Sequence, residues 1–100
     1  MIVELTAAAE ADLEAIGDYI AQDNPVRALS FVRELSRSCL ELAEMPEAWP
    51  IIPRYEHHGV RRRVHGRYLI FYRVTEGRIV VLHVLNGAMD VEAILIPDGS

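Results

Sequence analysis

The chain has 100 residues, of which 51% are hydrophobic and 25% charged, and its formal net charge is −5 at pH 7. This length predicts one domain spanning residues 1–100, and the hydrophobic fraction excludes an intrinsically disordered chain. The single cysteine, Cys39, excludes an internal disulfide and indicates a reducing compartment. Residues 1–4 lack the basic start and apolar run of a signal peptide, and no apolar stretch is long enough to span a bilayer. We therefore expect a cytoplasmic protein with no membrane partner.

The charges are unevenly distributed along the sequence. Residues 1–50 contain ten acidic residues and three arginines, whereas residues 51–100 contain seven arginines and five acidic residues. There is no lysine, so every fixed side-chain cation is a guanidinium, which suits bidentate contacts to carboxylate or phosphate. A general preference for arginine codons explains the missing lysines equally well. The negative net charge argues against nonspecific binding to nucleic acid.

The N-terminal third predicts a short strand and a helix. Ile2–Leu5 is an extended run, and Thr6 is the predicted N-cap of a helix from Ala7 to about Gln22. Apolar residues at spacings of three and four form its predicted buried stripe: Ala9, Leu13, Ile16 and Ile20. Acidic residues repeat every four positions on the outer side: Glu10, Glu14 and Asp18. This acidic row is either a solvated face or a surface that meets a basic partner.

A second helix is predicted directly after the first. Asn24 is suited to cap it and Pro25 to occupy its first position, and it is expected to run to about Met45, where Pro46 ends it. Its predicted buried stripe is Leu29, Val32, Leu35, Cys39 and Leu42. Because only about three residues separate the helices, they should fold back as an antiparallel hairpin.

The second half of the chain predicts a sheet. Residues 47–59 contain two prolines and form an irregular connection, in which Trp49 is either a packing anchor or a stacking platform. Three strands follow at about 60–64, 67–75 and 78–85, with X-Gly turns between them. Asp90 is expected to start a last helical turn. The order β-αα-βββ predicts an α+β fold, in which an N-terminal short strand precedes an antiparallel helical hairpin packed on an antiparallel sheet.

The middle strand is apolar on both faces. Tyr68, Ile70, Tyr72 and Val74 point one way, and Arg67, Leu69, Phe71 and Arg73 point the other. One face meets the helical hairpin, and the other needs cover from residues 94–96, from a partner protein, or from both. Only about ten residues follow Asp90, so we expect the outward set to bind a segment of a partner protein: Leu69, Phe71, Val80 and Leu82.

The sequence carries little that indicates catalysis. It contains no nucleotide-binding, serine-hydrolase or zinc-peptidase motif, and we predict no cofactor and no metal site. His57 and His58 are interpreted as solvated loop residues rather than metal ligands. His65 and His83 are possible general bases, but neither has an evident nucleophile or orienting carboxylate nearby in the sequence. Cys39 is interpreted as a small core residue.

The densest feature is a group of arginines. Arg61, Arg62 and Arg63 are consecutive on a predicted strand, so they project to alternate faces and cannot all contact one partner. Two interpretations remain open: a solvated strand edge, and contact with an acidic protein or a phosphate backbone. The candidate target-binding residues are Arg61, Arg62, Arg63, Arg67 and Arg73.

These residues resemble the RelE/ParE toxin superfamily over nearly the whole chain. Leu13-x-x-Ile16-x-x-Tyr19-Ile20, Asn24-Pro25-x-x-Ala28 and Leu42-x-x-x-Pro46 are similar to its helical hairpin. The runs at 66–74 and 79–90 are similar to its two signature strands. The resemblance implies the toxin of a type II toxin–antitoxin pair.

The resemblance also implies a branch of that superfamily. In RelE-like ribonucleases, basic residues on the sheet and a C-terminal tyrosine act on mRNA, and their positions fall here on Leu69, Met89 and about Leu95. Leucine and methionine cannot move a proton or stabilise a phosphorane. The chain therefore resembles the ParE branch, which implies a DNA gyrase inhibitor that is not an enzyme, with a ParD-like antitoxin as partner and operator DNA bound only through that antitoxin. The alternatives are a RelE-like ribosome-dependent endoribonuclease and a non-toxic interaction module.

Overall fold

The computed structural model describes residues 1–95 and contains seven helices and strands in that range. Their order is β1 (Ile2–Leu5), α1 (Ala7–Ala21), α2 (Pro25–Leu40), β2 (Arg61–His65), β3 (Tyr68–Thr75), β4 (Arg78–Asn86) and α3 (Val91–Leu95). Two 3-10 turns lie at Glu41–Ala43 and Glu56–His58. The predicted α+β class and the β-αα-βββ order are confirmed.

Both helix starts are fixed by the predicted caps. The backbone N–H of Ala9 donates to Thr6 Oγ1 at 3.1 Å, and that of Arg27 donates to Asn24 Oδ1 at 3.0 Å. Each bond satisfies an amide that has no partner inside the helix. The Thr6 hydroxyl also donates to the carbonyl of Leu82 at 3.0 Å, so the same residue joins the start of α1 to β4.

Two expectations for α2 are wrong. The helix ends at Leu40 rather than near Met45, and the chain continues as a 3-10 turn in which Glu44 N–H donates to Glu41 C=O. Leu29 is 57% exposed, and Ala28 occupies the buried position in its place. The buried side of the helix includes Ala28, Leu35 and Cys39. Leu29 therefore points away from the sheet.

The sheet has the strand order β1-β4-β3-β2. The three C-terminal strands form the predicted antiparallel meander. β1 pairs with β4 in parallel, with Ile2 opposite Arg78 and Leu5 opposite Val81, so the sheet is mixed rather than purely antiparallel. The turn between β3 and β4 is tight because Glu76 (φ 45°) and Gly77 (φ 78°) both take the left-handed conformation that two-residue hairpins require.

The sheet separates two hydrophobic cores. The first lies under the helices and includes Leu35, Cys39, Ile70, Tyr72 and Val81. The second lies on the opposite face, where Ile52, Tyr55, Val60, Phe71 and Leu85 are buried.

A bulge in β4 decides which residues enter which core. Phe71 pairs with His83, but Tyr72 pairs with Val81, so Leu82 is an extra residue in the strand. As a result Val81 and Val84 both belong to the first core, while Leu82 and Leu85 belong to the second. A strict alternation along the sequence does not predict this arrangement.

The corrected orientation of α2 gives the first testable prediction. Leu35→Ala should lower the free energy of unfolding by about 2–5 kcal/mol, because Leu35 is fully buried and its truncation leaves a cavity. The matched control Leu29→Ala removes the same atoms from an exposed site and should change stability by less than about 0.5 kcal/mol. Urea denaturation measures both. Equal losses would contradict this orientation of α2.

Candidate functional site

The side chains of two candidate arginines form hydrogen bonds to other parts of the protein. Arg61 and Arg63 project from β2 toward the helical side of the sheet. Arg61 Nη1 donates to the carbonyl of Trp49 at 2.7 Å, and Arg63 Nη1 donates to that of Ser38 at 2.9 Å. The Arg63 guanidinium also lies 4.8 Å from the Trp49 ring centre and pairs with Glu41 at 3.1 Å. These contacts fasten the edge strand β2 to α2 and to the loop at Trp49.

The other three candidate arginines are exposed and free. Arg62 and Arg73 project to the face opposite the helices, and Arg67 lies in the turn between β2 and β3. Within residues 1–95 none of the three side chains forms a hydrogen bond or an ion pair. Each lines a depression beside the second core. We call Arg62, Arg67 and Arg73 the basic face.

The acidic row of α1 lies on another side of the molecule. Glu10, Glu14 and Asp18 are exposed, and α1 contains no basic residue. Within the described chain these three carboxylates form no ion pair. Beside α1 a groove of about 280 Å³ opens toward the end of β4, lined by Ala15, Tyr19, Tyr68, Met89 and other residues.

The apolar set predicted to face outward is largely covered by the chain itself. Phe71 is only 1% exposed, beneath the segment 52–60 and α3, so the expectation that too little chain remains to cover this set fully is wrong for this residue. Leu69, Val80 and Leu82 are half-buried. Ile94 and Leu95 supply part of the cover; Ile96, the last residue of the expected covering segment, lies outside the described residues. Contact of this set with a partner remains a prediction.

A histidine–carboxylate pair was not foreseen from the sequence. His83 Nδ1 lies 2.8 Å from Asp12 Oδ2, and the backbone N–H of Val84 donates to the same oxygen at 2.9 Å. The orienting carboxylate comes from α1, 71 positions earlier in the chain. No signal near His83 in the sequence could have indicated it. Within residues 1–95 no hydroxyl or thiol is hydrogen-bonded to His83, so the pair fastens α1 to the β4 bulge.

His65 also has a partner that the sequence did not indicate. Its Nδ1 lies 2.8 Å from Ser38 Oγ, and its ring meets that of Phe31 edge-on with centroids 5.9 Å apart. A serine–histidine contact suggests a nucleophile, but Ser38 is 4% exposed and no substrate can reach it. The contact joins the end of β2 to α2.

The residues at the ribonuclease positions carry no ionisable group. Leu69 packs in the second core, Leu95 packs against it, and Met89 is 48% exposed. Burial raises the pKa of the Cys39 thiol to about 11, so this buried cysteine is held as an unreactive thiol. The part of the chain that the structure describes contains no group of three metal-ligating residues. None of its helices is long and apolar enough to cross a membrane.

Comparison with known proteins agrees with this architecture. Residues 3–91 match the family described as ParE toxin of type II toxin-antitoxin system, parDE. One similar solved structure is described as a chromosomal ParDE TA system from P. aeruginosa; it has a TM-score of 0.74 and 24% sequence identity, and the match covers 86% of this chain and 95% of that one. The search of curated proteins finds no match.

The fold and the family match together define the class of protein: the toxin of a type II toxin–antitoxin system. Because the family model covers most of the chain, the protein belongs to the ParE toxin family.

The two arginine environments give the second prediction. Arg63→Ala should destabilise the protein by about 1–2 kcal/mol, because it removes a hydrogen bond, an ion pair and a cation–π contact from a partly buried side chain. Arg62→Ala, its neighbour on the same strand, should change stability by less than about 0.5 kcal/mol. Thermal and urea unfolding measure both variants. A larger loss for Arg62→Ala would show that the faces of β2 are assigned the wrong way round.

Proposed function

We propose that this protein inhibits DNA gyrase, so that cleaved DNA is not resealed, and that it is not itself an enzyme. The observation that carries the proposal is the chemistry at the ribonuclease positions, where Leu69, Met89 and Leu95 offer neither a proton donor nor a cation. Membership of the ParE toxin family supports the same choice.

We propose the basic face as the surface that contacts the target. Arg62, Arg67 and Arg73 are the three members of the original candidate set whose guanidinium groups are free to bind a partner. We exclude Arg61 and Arg63 from this surface, because their guanidinium groups donate hydrogen bonds to carbonyl groups of the protein itself. Guanidinium forks on an exposed sheet face suit carboxylates of an acidic protein or phosphates of bound DNA.

This assignment gives the third prediction. The purified protein should impair supercoiling of relaxed plasmid by gyrase and leave ribosome-bound mRNA uncut. Arg62→Gln/Arg73→Gln should weaken the inhibition by at least about tenfold, since hydrogen bonds to charged groups contribute roughly 1.5–3 kcal/mol each. Arg33→Gln/Arg37→Gln removes the same charge from α2 and serves as the control.

Three outcomes would contradict these assignments. Site-specific cuts in mRNA with unaffected gyrase would indicate the RelE-like ribonuclease. Equal inhibition by both double variants would remove the basic face from the target site. No effect on gyrase or mRNA, together with normal growth of cells that express the protein, would indicate a non-toxic interaction module.

We further propose that a ParD-like antitoxin neutralises the protein in the cytoplasm and that operator DNA is bound only through that antitoxin. The acidic row supports a partner with basic residues, because Glu10, Glu14 and Asp18 form no ion pair with any residue in the range 1–95. The half-buried Leu69, Val80 and Leu82 offer additional apolar contact beside the second core. The C-terminal half of the antitoxin, disordered alone, would fold as a helix and strand around these surfaces and bury more than about 1,000 Å².

The antitoxin proposal gives the fourth prediction. Co-expression with a ribbon-helix-helix protein encoded by the adjacent reading frame should restore growth, and truncation of its C-terminal half should abolish that rescue. Hydrogen exchange on the complex should show new protection in α1, β3 and β4. Glu14→Lys/Asp18→Lys should weaken the complex, whereas Glu44→Lys/Glu47→Lys on the connecting loop should not. Protection confined to the loop at Trp49 would place the antitoxin elsewhere.

A further inference from the structure

The outer face of α2 combines exposed apolar residues with free cations. Val26, Leu29 and Leu40 are 81%, 57% and 60% exposed, and together they give α2 an exposed apolar surface. At 100° per residue these three residues and the arginines at 33 and 37 fall on one side of the helix, opposite the buried Leu35. Within residues 1–95 neither the Arg33 nor the Arg37 side chain forms a hydrogen bond or ion pair.

The outer face of α1 has the opposite charge. It carries the acidic row Glu10, Glu14 and Asp18, and α1 has no basic residue, whereas α2 has three arginines and one glutamate. The two helices lie side by side on one face of the sheet. The helical layer therefore presents an acidic helix beside a basic and apolar helix.

The relative height of the two helices can be fixed from their closest approach. A Cβ placed on Gly17 would lie 3.1 Å from Val32 Cγ2, so these residues are at the same level of the antiparallel hairpin. Counting in opposite directions from that level puts Arg33 at a height between Glu14 and Asp18. The same count puts Arg37 between the heights of Glu10 and Glu14.

We propose that this helical face binds a second copy of the same chain. In this dimer the helical layers of the two copies face each other, and the two-fold axis runs between them, parallel to the helices. The rotation places α1 of one copy opposite α2 of the other. It leaves the position of each residue along the axis unchanged. Arg33 of each copy then lies between Glu14 and Asp18 of the other. The same count puts Leu29 near the height of Tyr19, and Leu40 near that of the exposed alanines at the start of α1.

The size of this face indicates a weak and salt-sensitive dimer. Helices of 15 and 16 residues are about 22–24 Å long, and two side by side are roughly 20 Å wide. The dimer would bury on the order of 1,000 Å² in total, the lower limit for a specific interface. Because charge pairs supply much of the complementarity, association should weaken as salt screens them.

This inference does not depend on the proposed target, but it involves the acidic row assigned above to the antitoxin. A second copy and the antitoxin would therefore compete for α1. Toxicity, gyrase inhibition and self-association are measured separately, so failure of one proposal is distinguishable from failure of another.

Sedimentation velocity of the full chain over a range of concentrations tests the proposal. We expect a monomer–dimer equilibrium at low salt that shifts toward monomer at ~0.5 M salt. Arg33→Glu/Arg37→Glu should weaken self-association at least about tenfold, since it places acids opposite acids. Arg62→Glu/Arg73→Glu, the same charge change on the basic face, should leave it unchanged.

A mixing experiment separates charge pairing from misfolding. Glu14→Arg/Asp18→Arg makes the helical face wholly basic, and this variant should also fail to self-associate. An equimolar mixture of it with Arg33→Glu/Arg37→Glu should form heterodimers, because both contacts of the two-fold arrangement again join opposite charges. A wild-type protein that stays monomeric at every concentration, a dimer insensitive to the α2 variant, or a mixture that stays monomeric would overturn the proposal.

Discussion

The strand pair β3–β4 is apolar on both faces, and this constraint places the other elements. Ile70, Tyr72 and Val81 need cover on one side, and Phe71 and Leu85 need it on the other. An antiparallel sheet usually leaves one face to water, but a pair this apolar cannot. The helical hairpin covers the first face, and the segment 52–60 together with α3 covers the second.

The sheet also places the arginines of β2 on two different sides of the protein. β2 lies at the sheet edge beside β3, so its alternate side chains face the helical layer or the second core. Arg61 and Arg63 therefore reach carbonyls of α2 and the loop at Trp49, while Arg62 remains free. Of the three consecutive arginines, two therefore hold the edge strand in place and one is exposed. This difference arises from the alternation of side chains along a strand.

Local signals in the sequence were sufficient for most of the fold. Thr6, Asn24 and the Glu76-Gly77 turn act through bonds or dihedral angles within a few residues, so the sequence displays them directly. The predicted orientation of α2 is wrong at Leu29, because the spacing of apolar residues does not show which of two adjacent stripes on the helix meets the core. Tertiary packing decides that choice, and Ala28 allows the closer approach.

The candidate site was less predictable because it depends on long-range pairing. Asp12 meets His83 only after β4 lies beside α1, and the β4 bulge that places Val84 N–H on the same carboxylate has no sequence signature. The parallel pairing of β1 with β4 joins residues more than 70 positions apart. Burial of Phe71 also required residues 52–60, which the sequence presents only as part of an irregular connection, to pack on the sheet beside α3.

Segregation of charge explains how a chain with net charge −5 can present a basic surface. The acids of α1 and the free arginines of the basic face lie on different sides of the sheet, so neither group neutralises the other at close range. At physiological salt, charges separated by more than about 8 Å are largely screened. A partner that contacts one face therefore interacts mainly with the charge of that face. The net charge therefore opposes nonspecific attraction to nucleic acid at a distance, while local contact with an acidic target remains favourable. A domain of 100 residues can in this way offer separate surfaces to partners of opposite charge.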